Sequence, residues 1–68
     1  MIIEAVKQSA QASINRHMVN INTMLEDPRS IPEHTDVVGA IEQELLKIAS
    51  HMDILEAVNQ YVEWNRYG

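Results

Sequence analysis

The chain has 68 residues, of which 46% are hydrophobic and 22% charged, and its formal net charge at pH 7 is −5. A chain of this length allows one domain at most, spanning residues 1–68. It contains no cysteine, which excludes a disulfide framework, a thiolate metal site and a cysteine nucleophile. The excess of acidic residues argues against a nucleic-acid partner, because phosphate binding requires clustered Lys and Arg.

Signals for export or membrane insertion are not apparent in the sequence. Glu4 and Lys7 interrupt the N-terminal stretch where a signal peptide has an unbroken apolar core. No stretch approaches the ~18–20 apolar residues of a membrane-spanning helix. We therefore expect a cytoplasmic protein that does not associate with membranes.

The first part of the chain predicts one helix over about residues 2–26. Apolar residues recur at a mean spacing of about 3.7 residues, which is typical of one helical face. They are Ile3, Val6, Ala10, Ile14, Met18, Ile21 and Leu25. Four amides lie off this stripe and are expected to face solvent: Gln8, Gln11, Asn15 and Asn22. The helix should end near Asp27, because Pro28 disfavours a helical conformation in the residue before it.

The second part predicts a longer helix over about residues 35–66, with an uninterrupted heptad pattern. The a positions are Val38, Leu45, Met52 and Asn59, and the d positions are Ile41, Ile48, Leu55 and Val62. Thr35 or Asp36 is the expected N-cap. The stretch from Ser30 to Glu33 also fits a capping box, which would begin the helix or a separate short turn earlier.

Two helices joined by a short connection predict an all-α fold, an antiparallel two-helix hairpin. One hairpin leaves much of the apolar stripe of each helix exposed to solvent, so we expect assembly into a dimeric four-helix bundle or a higher helical oligomer. The expected self-association seam comprises the eight heptad residues together with Ile14, Met18 and Ile21. Asn59 in this heptad either fixes the register as a buried amide or lies wet near the end of the hairpin.

A second apolar set lies off the main stripe, toward the C-terminal end. Its members are Leu46, Ala57, Tyr61, Trp64 and Tyr67. The second helix should extend past the start of the first, which leaves these aromatic residues at an overhang. They either close the end of the oligomer's own core or form a docking surface for a different protein.

The sequence predicts no catalytic, cofactor or metal site. His17, His34 and His51 lack the spacings with which a helix binds a metal, so we expect polar residues flanking the stripe, although two chains could bring histidines together. Ser50 and Asp53 neighbour His51, but side chains so close on one helix diverge and cannot form a catalytic relay.

One segment, residues 31–49 (IPEHTDVVGAIEQELLKIA), resembles a segment of small uncharacterised helical proteins of tailed bacteriophages. The matching residues are Glu33, His34, Asp36, Ala40, Ile41, Glu44, Lys47, Ile48 and Ala49. The resemblance covers under a third of the chain. It implies a phage genome as the source, with the host cytoplasm as the location, and it implies no activity.

These observations favour a non-enzymatic interaction protein that self-associates and binds another protein, such as a phage-encoded factor that modulates its host. A purely structural protein of a virion or complex is the alternative. An acidic mimic of nucleic acid is a weaker hypothesis, because polar and basic residues interrupt the acidic surface. An enzyme would need a site between chains, and no convergent polar constellation is visible in the sequence.

Overall fold

Two α-helices form the part of the chain that this computed structural model describes, residues 2–27 and 36–67. Helix α1 spans Ile2–Glu26 and helix α2 spans Val37–Tyr67. No strand occurs in these two ranges. The prediction of an all-α chain with two helices is confirmed, and the predicted ends lie within two residues of those observed. Neither described helix has a stretch long and apolar enough to cross a membrane.

Side-chain capping explains where α2 begins. The Val38 backbone N–H donates to the Asp36 carboxylate at 3.1 Å, and the Ala40 N–H donates to the Asp36 carbonyl at 2.9 Å. Asp36 is therefore the N-cap, as one of the two predictions had it. The other candidate, Thr35, and the possible capping box at residues 30–33 lie outside the described residues.

The two helices pack side by side in antiparallel orientation, and the chain extends 53 × 18 × 13 Å. Glu44 on α2 contacts both His17 and Asn20 on α1. Met18, which lies between these two, is therefore level with Leu45. Because α1 has 25 residues and α2 has 31, the C-terminal end of α2 extends beyond the start of α1, as predicted.

The core between the helices is small. Among the residues that the structure describes, four hydrophobic ones are buried: Ala10, Ile14, Ile48 and Val58. Glu44 is also buried, with 8% of its surface exposed, and no side chain is fully buried among the described residues. A two-helix layer this thin excludes water from only one line of side chains, which limits the stability that the hydrophobic effect can supply.

The seam within one chain is shifted from the heptad stripe that the sequence suggested. Three of the four d positions, Ile41, Ile48 and Leu55, lie in the seam as expected. The other seam residues of α2 are not the a positions. They are the residues one position before each a position: Val37, Glu44, His51 and Val58. The a positions Val38, Leu45, Met52 and Asn59 are all exposed.

Candidate functional site

A polar cluster lies in the middle of the seam. His17 Nδ1 and Glu44 Oε2 are 2.5 Å apart, and their side chains are only 12% and 11% exposed. The Asn20 side-chain amide donates to the same carboxylate oxygen at 3.4 Å. The His51 ring stacks on the His17 ring, with centroids 6.0 Å apart and an angle of 15° between the planes. We refer to these four residues as the polar cluster.

The contacts of Glu44 determine its protonation. Burial by itself raises the pKa of the Glu44 carboxyl, because desolvation disfavours the charged form. The hydrogen bonds from His17 and Asn20 and the charges of His17 and Lys47 act in the opposite direction and prevail, so the pKa lies below its ordinary value. The carboxylate is therefore ionised at neutral pH and acts as a hydrogen-bond acceptor within the seam.

The expectation that the histidines flank the stripe is wrong for His17 and His51. Both lie in the seam, and they meet within one chain. Sequence reasoning also missed Glu44 as their partner. A signal was available, because His17 and Glu44 lie at similar distances from the connection, nine residues before the end of α1 and seven after the start of α2, and an antiparallel hairpin brings such positions together. His34 lies outside the described residues.

Two kinds of chemistry receive no support from the geometry. Ser50 and Asp53 are exposed, whereas the His51 side chain is turned into the seam, so the three side chains diverge as predicted. Within residues 2–27 and 36–67, no three His, Asp or Glu side chains are placed to hold a metal ion. The polar cluster therefore joins the two helices, with its carboxylate and imidazole groups directed at each other.

A continuous set of large apolar side chains lies beside the seam, exposed to solvent. We call it the open face. Its members, with their exposed fractions, are Met18 43%, Leu25 62%, Val38 62%, Leu45 50% and Met52 49%. Successive members on each helix are seven residues apart, so they share one direction, and Met18 is level with Leu45.

A groove shows that the two halves of the open face lie on one side of the hairpin. It has a volume of about 360 Å³ and is lined by Glu4, Lys7, Gln8, Gln11, Leu55 and Asn59. Gln11 is seven residues before Met18, and Asn59 is seven residues after Met52. The open face thus continues into a polar groove toward the chain termini. Asn59 is exposed to solvent in the single chain, as the second of its two predicted placements had it.

Four members of the C-terminal apolar set, Leu46, Ala57, Tyr61 and Trp64, lie on a different side of α2 from the open face. Leu46, Tyr61 and Trp64 are 62%, 48% and 67% exposed, and Ala57 is also exposed. The Tyr61 and Trp64 rings contact each other, with centroids 6.0 Å apart and an angle of 41°. Tyr67 is the last residue of α2. Within a single chain, α1 therefore does not cover this surface.

Comparison with known proteins gives no relative for this chain. No protein family, curated protein sequence or solved structure matches it.

Proposed function

We propose that this chain is a non-enzymatic interaction protein that acts as a self-associated helical bundle and binds another protein. The observation that carries the proposal is the open face: five large apolar side chains, each 43–62% exposed, beside a core in which the described helices bury four hydrophobic residues. Soluble monomers seldom expose contiguous apolar surface of this kind without using it.

The size of the hairpin supports self-association in particular. A domain of about 60 residues buries only ~60% of the surface of its unfolded chain, and small domains without disulfides usually require a metal or a partner. This chain has no cysteine. Further helices packed on the open face would extend the narrow contact between α1 and α2 into the core of a four-helix bundle. The heptad residues that are exposed in one chain would then be the seam between chains.

The C-terminal surface supports the second part of the proposal, a foreign protein partner. Trp and Tyr are the residue types most enriched at interface hot spots. Trp64 and Tyr61 are exposed on a side of α2 that neither α1 nor the open face occupies. If the resemblance of residues 31–49 to phage proteins reflects common origin, the partner is a host enzyme or a component of the virion.

Two adjacent leucines provide a matched test of self-association. Leu45 belongs to the open face and is 50% exposed, whereas Leu46 is 62% exposed on another side of the same helix. We expect Leu45→Glu to convert the assembly into monomers, because the interface would bury an unpaired carboxylate. Leu46→Glu should leave the assembly intact. Size-exclusion chromatography with light scattering measures both masses, and equal behaviour of the two variants would contradict the role of the open face.

Trp64→Ala tests the docking surface separately. The proposal predicts that this variant keeps the stability and mass of the wild-type assembly but loses a stoichiometric partner in affinity purification from the native cell. A loss of self-association or of folding would instead show that the aromatic residues close the oligomer's own core. The emission of Trp64 distinguishes these outcomes early, because a ring buried on assembly has blue-shifted fluorescence that is protected from quenchers.

A further inference from the structure

The open face changes in polarity along its length. Nearest the connection between the helices it presents Leu25 and Val38, followed one heptad further on by Met18 and Leu45. The next level pairs Gln11 with Met52, and the last level, at the groove, pairs Glu4 with Asn59. The face is therefore apolar in the half near the connection and polar in the half near the termini.

The two outer edges of the open face differ in charge. Along α1, the exposed residues that border the face are uncharged amides: Gln8, Asn15 and Asn22. Along α2, the exposed bordering residues are mostly acidic: Glu42, Ala49, Glu56 and Glu63. These residues also recur every seventh position, so each edge runs parallel to the face.

A second copy can cover this face with two-fold symmetry in two ways, because a symmetric dimer uses the same patch on both subunits. If the axis runs along the hairpin, both connections lie at the same end, and α1 of each copy packs on α2 of the other. If the axis runs across the hairpin, the connections lie at opposite ends, and each helix packs on its own counterpart. All neighbouring helices are antiparallel in both arrangements.

The distribution of apolar residues selects the same-end arrangement. With both connections at one end, the apolar half of one copy meets the apolar half of the other at full overlap. With the connections at opposite ends and full overlap, Leu25 and Val38 of one copy would meet Glu4 and Asn59 of the other. That contact would place Glu4, with its ion-pair partner Lys7 at 3.9 Å, and the Asn59 amide against apolar side chains, and removing such polar groups from water is costly.

The charges of the two edges select the same arrangement independently. When α1 packs on α2 of the second copy, Gln8 lies level with Glu56 and Asn22 lies level with Glu42, so amide donors face carboxylates. Asn15 then lies level with the small Ala49. The opposite-end arrangement would place the acidic edge of α2 along the acidic edge of its counterpart, and like charges there repel each other.

From these two observations we infer that the open face binds a second copy of this chain in the same-end arrangement, with α1 of each copy on α2 of the other. The inference deepens the proposed function and rests on its self-association. It also places the C-terminal surfaces of both copies, with Tyr61 and Trp64, at one end of the dimer. The two surfaces lie at that end on opposite sides of the dimer, because the two-fold axis runs between the two α2 helices.

Engineered thiols test the arrangement directly, since the wild-type chain has no cysteine. Asn15→Cys and Ala49→Cys are prepared as separate variants, mixed and oxidised. The same-end arrangement brings position 15 of one copy beside position 49 of the other. We expect the mixed disulfide to be the main covalent dimer, at least tenfold above either self-linked product. Mass spectrometry distinguishes the three products, because the two variants differ in mass.

Gln8→Cys with Ala49→Cys is the matched control. Position 8 is one heptad, about 10 Å, away from position 15 along α1, so this pair should form at most a tenth as much mixed disulfide. Self-linked products as the main species, in a chain that sedimentation shows to be dimeric, would overturn the arrangement and leave self-association standing. A chain that sediments as a monomer would overturn both.

A charge variant gives a second test in which the two arrangements predict opposite signs. Gln8→Lys/Asn22→Lys places lysines opposite Glu56 and Glu42 of the second copy in the same-end dimer. We expect the dimer Kd to fall roughly five- to tenfold at low ionic strength, from four partly exposed pairs per dimer. A Kd that is unchanged or rises would contradict the arrangement, because helices packed on their counterparts would bring the new lysines together.

Discussion

Removing His17 tests the account of the polar cluster. His17→Ala takes away the imidazole 2.5 Å from Glu44 and leaves the carboxylate with the longer 3.4 Å hydrogen bond from Asn20. A hydrogen bond to a charged group contributes ~1.5–3 kcal/mol, and loss of one partner leaves the other without compensation for its burial. Both side chains retain 11–12% exposure, so water can solvate part of the carboxylate. We therefore expect a loss near the lower limit, about 1.5–2 kcal/mol.

A second substitution separates the loss of a contact from the cost of an unpaired charge. In the His17→Ala background, Glu44→Leu removes the carboxylate that no longer has its partner, and we expect it to recover stability. Urea unfolding followed by far-UV circular dichroism at pH 7 measures each variant, at one fixed protomer concentration because assembly contributes to stability. A His17→Ala variant within 0.5 kcal/mol of wild type, or a further loss on adding Glu44→Leu, would refute the reasoning.

Four shorter predictions follow from the same structure. The pKa of Glu44 is lowered in the folded state. The ionised carboxylate therefore contributes fully to the stability of the fold above pH 4.5, the ordinary pKa, and this contribution is lost as the pH falls through the pKa of the folded state. The stability difference between wild type and Glu44→Gln, measured by urea unfolding, should thus shrink as the pH is lowered in an acid titration. Ile48→Ala should cost ~2–5 kcal/mol in urea unfolding, because Ile48 is 4% exposed, whereas Leu46→Ala at 62% exposure should cost far less. Asp36→Ala should lower the unfolding temperature through loss of the N-cap, worth ~1 kcal/mol. Gly39→Ala should raise the unfolding temperature, through a gain in stability of up to ~1 kcal/mol, because an added Cβ would lie 3.4 Å from the nearest Asp36 atom, an ordinary contact.

The helices themselves could be predicted from local features of the sequence. Apolar spacing of about 3.7 residues, Pro28 after Asp27 and an Asp at the N-cap position each act within a few residues of where they occur. The antiparallel register followed from placing Leu25 level with Val38 at the two sides of the short connection, and it gave the overhang of the second helix. These features gave the bounds of α1 and α2 to within two residues.

The choice of seam could not be predicted in the same way. Residues that recur every seventh position form a column along a helix, and α2 has three adjacent columns that could face a partner. One neighbouring helix covers only two of them. The column that contains Glu44 and His51 has polar residues in its middle, which would predict exposure to solvent. It is covered nevertheless, because His17 and Asn20 lie at the same level on α1 and bind Glu44. Polar residues far apart in the sequence pair only when the two helices pack against each other, and the spacing of apolar residues along one helix does not reveal such pairs. The apolar column at Leu45 and Met52 is consequently left on the open face.

Methionine oxidation tests the central claim, that a second copy covers the open face. Met18 and Met52 are 43% and 49% exposed in the single chain and lie on that face. Peroxide converts exposed methionine into the sulfoxide, and mass spectrometry gives the rate at each residue relative to free methionine in the same solution. We expect both rates to fall together as the protein concentration rises through the range of assembly, with Met18 better protected because it lies in the apolar half. Rates that stay constant at all concentrations, in a chain whose mass doubles or in one that remains monomeric, would contradict it.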